Sequence, residues 1–157
     1  MAHFARVSQD GIVVHMECLC NEDCCTEGGL EKESIGIAYL ESLYGEDSGT
    51  WVQCSYNTRE GIHYDGYDEV DCGPVDDKTA LRANYPSIGW HYNAEHDIFH
   101  APRPVDRYQR PCDSWTLNTT TGVWEPPTPK PEVVDDGSDP VMYLWDEPTQ
   151  TWINIYD

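Results

Sequence analysis

The same aromatic pattern occurs three times in the C-terminal half of the chain, and this repetition limits the possible folds more than any other feature. Trp90-x-Tyr92-Asn93 is followed by Phe99, Trp115-x-Leu117-Asn118 by Trp124, and Tyr143-x-Trp145-Asp146 by Trp152, at the same separation each time. Residues two apart on a strand share a face, Asn or Asp opens a turn through its side chain, and the returning strand brings another ring onto that face. Each unit therefore reads as a β-hairpin, over 89–102, 114–127 and 142–155.

The joints between these units are rich in proline: Pro102, Pro104 and Pro111, then Pro126, Pro127, Pro129, Pro131 and Pro140. Such segments favour polyproline II and act as semi-rigid spacers. A lone hairpin is marginally stable in water. The rings of Trp90, Tyr92, Phe99, Trp115, Trp124, Tyr143, Trp145 and Trp152 are therefore expected to be sheltered by one another, by the N-terminal half or by another protein.

The N-terminal half reads differently. Asp10-Gly11 between Val7 and the run Ile12, Val13, Val14 predicts a tight turn joining two short strands. EKESIGIAYLESLY at 31–44 places Ile35, Ala38, Tyr39, Leu40 and Leu43 at helical steps, and Gly45 stands where a helix ends. Residues 57–80 read as a long loop rich in Gly and Asp, and Leu81–Ala83 as no more than a turn or two before Pro86. The expected fold is mainly β with one N-terminal helix, an α+β domain over 1–88 followed by three hairpin repeats over 89–157.

Composition narrows the function. Nine Lys and Arg against 29 Asp and Glu give a net charge of −20, which argues against a nucleic-acid partner. Leu, Ile, Val and Phe make up only about 18% of the chain. Six Trp and ten Tyr compensate, so the core is expected to be aromatic. No run approaches the length of a membrane span, and MAHFARVSQDGIVVHM lacks the apolar stretch of a secretory signal, which predicts synthesis in a cytoplasm and no membrane partner.

Seven cysteines in that setting read as reduced thiols or metal ligands rather than a disulfide framework. Cys18, Cys20, Cys24 and Cys25, with His15 and Cys54 available, are the candidates for a tetrahedral zinc shell, but four thiols in eight residues do not form two separated pairs. No metal or other cofactor is expected. The histidines lack a nucleophile elbow, an HExxH or a papain-like context. His91 and His96 stand where the second repeat has Thr116 and Thr121, so they read as hairpin surface positions, and no catalytic residues are expected.

MAHFARV at the start, SLYG before WVQCSYN at 51–57, GIHY at 61–64, ALRANYPSIGWHYN at 80–93 and SWTLN with VWEPPTP over 114–129 resemble blocks of small proteins encoded by marine tailed phages, above all cyanophages. The resemblance covers most of the chain and implies a virion structural protein. The Cys18–Cys25 cluster and DCGPVDD at 71–77 look particular to this chain. The expectation is a capsid decoration or cement protein that attaches through aromatic hairpins and extended joints. Its partners would be the major capsid protein, other virion proteins or a second copy. A tail or fibre component recognising host glycan is the alternative, and a small Cys-cluster metal-binding protein a second one.

Overall fold

The computed structural model describes residues 1–46, 49–64, 80–133 and 141–156. Among these the chain is mainly β, built of short antiparallel pairings with two helices. It divides into two compact units, the first comprising Met1–Pro102 with Thr119–Gly122 and the second Arg103–Asn118 with Val123–Asp157. The first unit thus runs through Pro102 and includes the short segment Thr119–Gly122.

The first unit opens with the expected hairpin, β1 (Ala2–Val7) against β2 (Val13–Leu19). Gly11 takes φ +78 in its turn, a conformation that costs glycine little. A one-turn helix, α1 (Asn21–Cys24), follows; no helix is expected there from the sequence. The expected helix is α2 (Glu33–Tyr44), closed by Gly45 at φ 89, whose N–H reaches Glu41 O at 2.8 Å. Its buried positions are Gly36 and Leu40, whereas Leu43 is 60% exposed and Ala38 is exposed too. The apolar stripe is displaced because the Phe4 ring lies against Gly36, where any side chain would collide with it.

The third strand, β3 (Thr50–Cys54), adds to the free edge of β1 to give the order β2-β1-β3, an element with no counterpart among the expectations. Alternation then assigns the two faces of this sheet. Ala2, Phe4, Leu19 and Trp51 pack under α2 with Cys24 and Leu40. Ala5, Val7, Val13, Val52 and Cys54 pack on the other side with Phe99.

The first part of the expected loop is a small hairpin, β4 (Thr58–Arg59) with β5 (Ile62–His63), turned by Glu60 and Gly61 at φ 53 and 76. Positive φ at both central residues matches the right-handed twist of the flanking strands. The remainder of that loop, the DCGPVDD segment and Pro140 lie outside the described residues.

Three further hairpins follow: β6 (His91–Asn93) with β7 (Ile98–His100), β8 (Thr116–Asn118) with β9 (Val123–Glu125), and β10 (Tyr143–Asp146) with β11 (Thr151–Asn154). Their registers set Tyr92 opposite Phe99, Leu117 opposite Trp124 and Trp145 opposite Trp152. Each turn ends on a residue of positive φ: Asp97, Gly122 and Gln150. Asn93 Oδ1 accepts the N–H groups of Glu95 and His96 at 3.1 Å each, the side-chain turn its identity predicts.

Candidate functional site

In the first unit the candidate rings turn inward. Phe99 is fully buried against Val7, Val13, Val52 and Cys54, and Trp90 and Tyr92 pack beside it half-buried. Both edges of the β6–β7 hairpin are engaged: Tyr92 N–H donates to Gly11 O at 2.8 Å and Phe99 N–H to Arg82 O at 3.0 Å. This hairpin is therefore part of the first unit's core.

In the second unit Trp115, Trp145 and Trp152 meet edge to face, with centroids 5.2–5.9 Å apart. Trp145 is 3% exposed and donates Nε1–H to Glu147 at 2.7 Å. Trp152 donates Nε1–H to Thr128 O at 2.8 Å and lies under Lys130, which fastens the proline-rich segment to the hairpin. Trp124 lies under the Arg103 guanidinium at 4.3 Å. Tyr143, like Trp115, Trp124 and Trp152, is only partly buried. All eight candidate rings are at least partly buried, and two of them, Phe99 and Trp145, are sealed from solvent.

A carboxylate–arginine network holds the second unit together. Buried Asp106 accepts the Arg110 Nε–H at 2.7 Å and the backbone N–H groups of Tyr108, Arg110 and Glu147. Burial pushes its acidity down, but these donors outweigh it and hold the carboxyl well below the usual carboxylate range. Asp146 accepts Thr149 Oγ1–H at 2.6 Å and pairs with Arg107, and both lower its pKa. Glu147 accepts the Ser114 N–H and Oγ–H at 2.7 and 2.8 Å. These acids are rich in donors, several of them backbone N–H groups, so the network fixes the backbone around them.

What the third hairpin leaves uncovered is its other face. With Trp145 and Trp152 on one side, alternation puts Leu144 and Ile153 on the opposite side, extended by Met142 and Ile155, whose N–H reaches Met142 O at 3.0 Å. Met142, Leu144 and Ile155 are 48%, 37% and 44% exposed. A sequence reading that follows rings alone passes over these aliphatic residues, although the alternation that buries the indoles marks them.

The four candidate thiols do not gather at one point, although Cys25 hydrogen-bonds Cys24 and, after burial, pushes its thiol up. Cys18 is the last residue but one of β2, Cys20 precedes α1 and donates to Asp23 Oδ2 at 2.8 Å, and Cys24 is buried and donates to Cys20 O at 3.1 Å. Cys25 follows α1 half-buried. The register also sets Cys18, His3 and Cys54 in one row across β2-β1-β3, a grouping absent from the sequence-based candidates. Two strand spacings separate the outer thiols by about 9.6 Å, while two thiolates on one zinc stand about 3.8 Å apart. Among the described residues no three His, Cys, Asp or Glu side chains are placed to hold a metal ion.

At the opposite end of the same sheet, His15, Arg6 and Trp51 also form a row. Tyr44, from the end of α2, donates its hydroxyl to Glu17, which His15 Nε2 approaches at 2.9 Å. The Tyr44 and His15 bonds hold the Glu17 carboxyl low, and the same bond pushes the Tyr44 phenol up. A carboxylate engaged in this way ties the helix end to the sheet. Comparison with family models, curated proteins and solved structures found no match to this chain.

Proposed function

We propose that the chain is a non-catalytic structural component of a phage particle, a capsid-surface decoration protein that attaches through its third hairpin. The observation that carries this reading is the aliphatic face of Met142, Leu144 and Ile155, exposed on the side of β10–β11 opposite the buried indoles. Exposed contiguous apolar surface on an otherwise acidic chain is the chemistry of a protein contact. Supporting it, the buried Asp106 carboxylate is engaged by several donors, and the sequence blocks resemble those of marine phage proteins.

The reading departs from the expected one in its contact residues. The rings brace the hairpins within the chain, and the aliphatic face meets a capsid subunit. The test is co-sedimentation of purified protein with phage particles lacking it, comparing the parent with the double variant Leu144→Asp, Ile155→Asp. Loss of attachment by the double variant, with unchanged circular dichroism, is expected. Undiminished attachment, or loss that tracks dissociation of a homo-oligomer in light scattering, removes this face from the capsid contact.

A further inference from the structure

The cysteine cluster forms no zinc shell, but it leaves one pair of thiols in contact, Cys24 and Cys25, which has no part in the proposed attachment. We propose that this pair, with the cleft beside it, is a site for a neutral, monosubstituted trivalent arsenical, R–As(OH)2, whose two hydroxyls the two thiols replace.

Neighbouring side chains diverge within a helix and point to opposite faces along a strand. Cys24 closes the helical turn α1, whereas Cys25 is extended, with φ −114 and ψ 154. At this break the two thiols meet and hydrogen-bond each other. The backbone around them is fixed: Cys25 N–H donates to Asn21 O and Lys32 N–H to Cys24 O, both at 2.9 Å, and Cys25 bridges to Glu31.

A direct disulfide suits this pair poorly. Adjacent Cα atoms stand about 3.8 Å apart across a trans peptide, below the range of about 4.4–6.8 Å that a disulfide usually spans. A single bridging atom of a soft element enlarges the ring and relieves that mismatch, and thiolates are soft ligands. Two sulfurs fill two of the three bonds of trivalent arsenic and leave the third to R. Cys25 is half-buried in the wall of an open cleft of about 420 Å3, lined also by Asn21, Glu22, Thr26, Glu27 and Gly29, which gives R its place. The two carboxylates there, on a chain of net charge −20, repel anionic thiol reagents and leave a neutral arsenical unaffected.

The exchange balances without an oxidant or reductant. Each As–O bond gives way to an As–S bond, each thiol proton leaves with a hydroxyl as water, and arsenic stays trivalent. Cys25, at the cleft, reacts first, and buried Cys24 follows in an intramolecular step at high effective concentration. Cys24 gives up its bond to Cys20 O, a loss limited by the weakness of a thiol donor.

The test uses phenylarsonous acid at pH 7.5 with the full chain carrying Cys18→Ser and Cys20→Ser, so that the exposed thiols do not compete. Intact mass is expected to show one phenylarsenic group per chain, and peptide mapping to place it on the fragment containing Cys24 and Cys25. The adduct survives excess 2-mercaptoethanol and is removed by the dithiol 2,3-dimercaptopropanol. Cys25→Ser in the same background, folded by circular dichroism, is expected to bind at least about 100-fold more weakly and to lose its adduct to the monothiol, because the chelate is gone. Cys112→Ser, in the second unit, leaves binding unchanged. Absence of an adduct overturns the proposal. So does an adduct mapped to Cys54, Cys72 or Cys112, or a Cys25→Ser protein whose adduct resists 2-mercaptoethanol as the parent's does.

Discussion

Gly36 shows how one residue fixes the packing of the first unit. A Cβ at this position would stand 2.3 Å from Phe4 Cζ and 2.7 Å from its Cε2. Phe4 is fully buried among Ala2, Leu19, Leu40 and Trp51, so the ring has nowhere to retreat. Alanine is the better helix former by about 1 kcal/mol, but overpacking a filled core costs about 1–3 kcal/mol. Gly36→Ala is therefore expected to lower stability, by up to about 2 kcal/mol, in urea denaturation. A more stable variant would mean that α2 lifts freely from the sheet. Cys54 makes a second point at this scale. Buried on the other face, its thiol is pushed up to about 12, mainly by burial. Cys18 and Cys20 are exposed. Mass spectrometry after brief iodoacetamide treatment of native protein is expected to find Cys18 and Cys20 modified, with Cys54, Cys24 and Cys112 untouched until denaturant is added.

Elements are held together by contacts that local sequence does not announce. Arg82 is the clearest case: its Nε–H donates to Asp97 at 2.7 Å, Nη1–H to Gln53 O at 2.7 Å, and Nη2–H to Glu33 at 3.2 Å. One guanidinium thus ties the turn of the β6–β7 hairpin to β3 and to the start of α2. The mainly β character, the short antiparallel hairpins and α2 with Gly45 were legible because their signals lie within a dozen residues: turn residues, alternation and an apolar period. The strand β3 was not, because TWVQC has no turn partner of its own and its place depends on an edge of β1. Nor was the clamp, since Glu33 is 49 residues from Arg82, and Arg82 and Ala83 hold positive φ without being glycine. Ring positions were legible, but not which way they face. Removing the clamp by Arg82→Met strands a backbone carbonyl and two partly exposed carboxylates. With allowance for solvent screening the cost is about 1–3 kcal/mol. Arg82→Lys is expected to recover less than half of that in urea denaturation, because an ammonium does not span three acceptors in a plane. Full recovery by lysine would reduce the clamp to a simple charge effect.

Across the whole molecule, the charge imbalance and the placement of titrating groups set how stability varies with solution conditions. Arg6, Arg59, Arg103, Arg107, Arg110 and Lys130 each lie against an aromatic ring, and Arg82 is ion-paired, so the net charge of −20 is carried by a surface with few uncommitted cations. Compaction of such a chain works against its own repulsion, and added salt is expected to stabilise it. Superimposed on this are two pH limbs of opposite origin. Glu17, Asp97, Asp106, Asp146 and Glu147 are all held below their ordinary values in the folded chain. The unfolded chain therefore binds protons first on acidification. The stability these groups contribute is complete above the unfolded carboxylate values, and is lost as pH falls from about 5 toward and below 3. Cys24, Cys54 and Cys112 are raised, chiefly by burial, so there the unfolded chain loses protons first. Their contribution is complete below about pH 8 and declines as pH rises toward 12. Urea denaturation at pH 3, 6 and 10, each at low and high salt, is expected to give the highest midpoint at pH 6 and to raise it with sodium chloride there. At pH 3, where the carboxylates are largely protonated and nine Lys and Arg with six protonated His leave a net positive charge of smaller magnitude than −20, the salt effect shrinks while the midpoint stays low. A midpoint at pH 3 equal to that at pH 6 would mean that the paired carboxylates contribute nothing to folding.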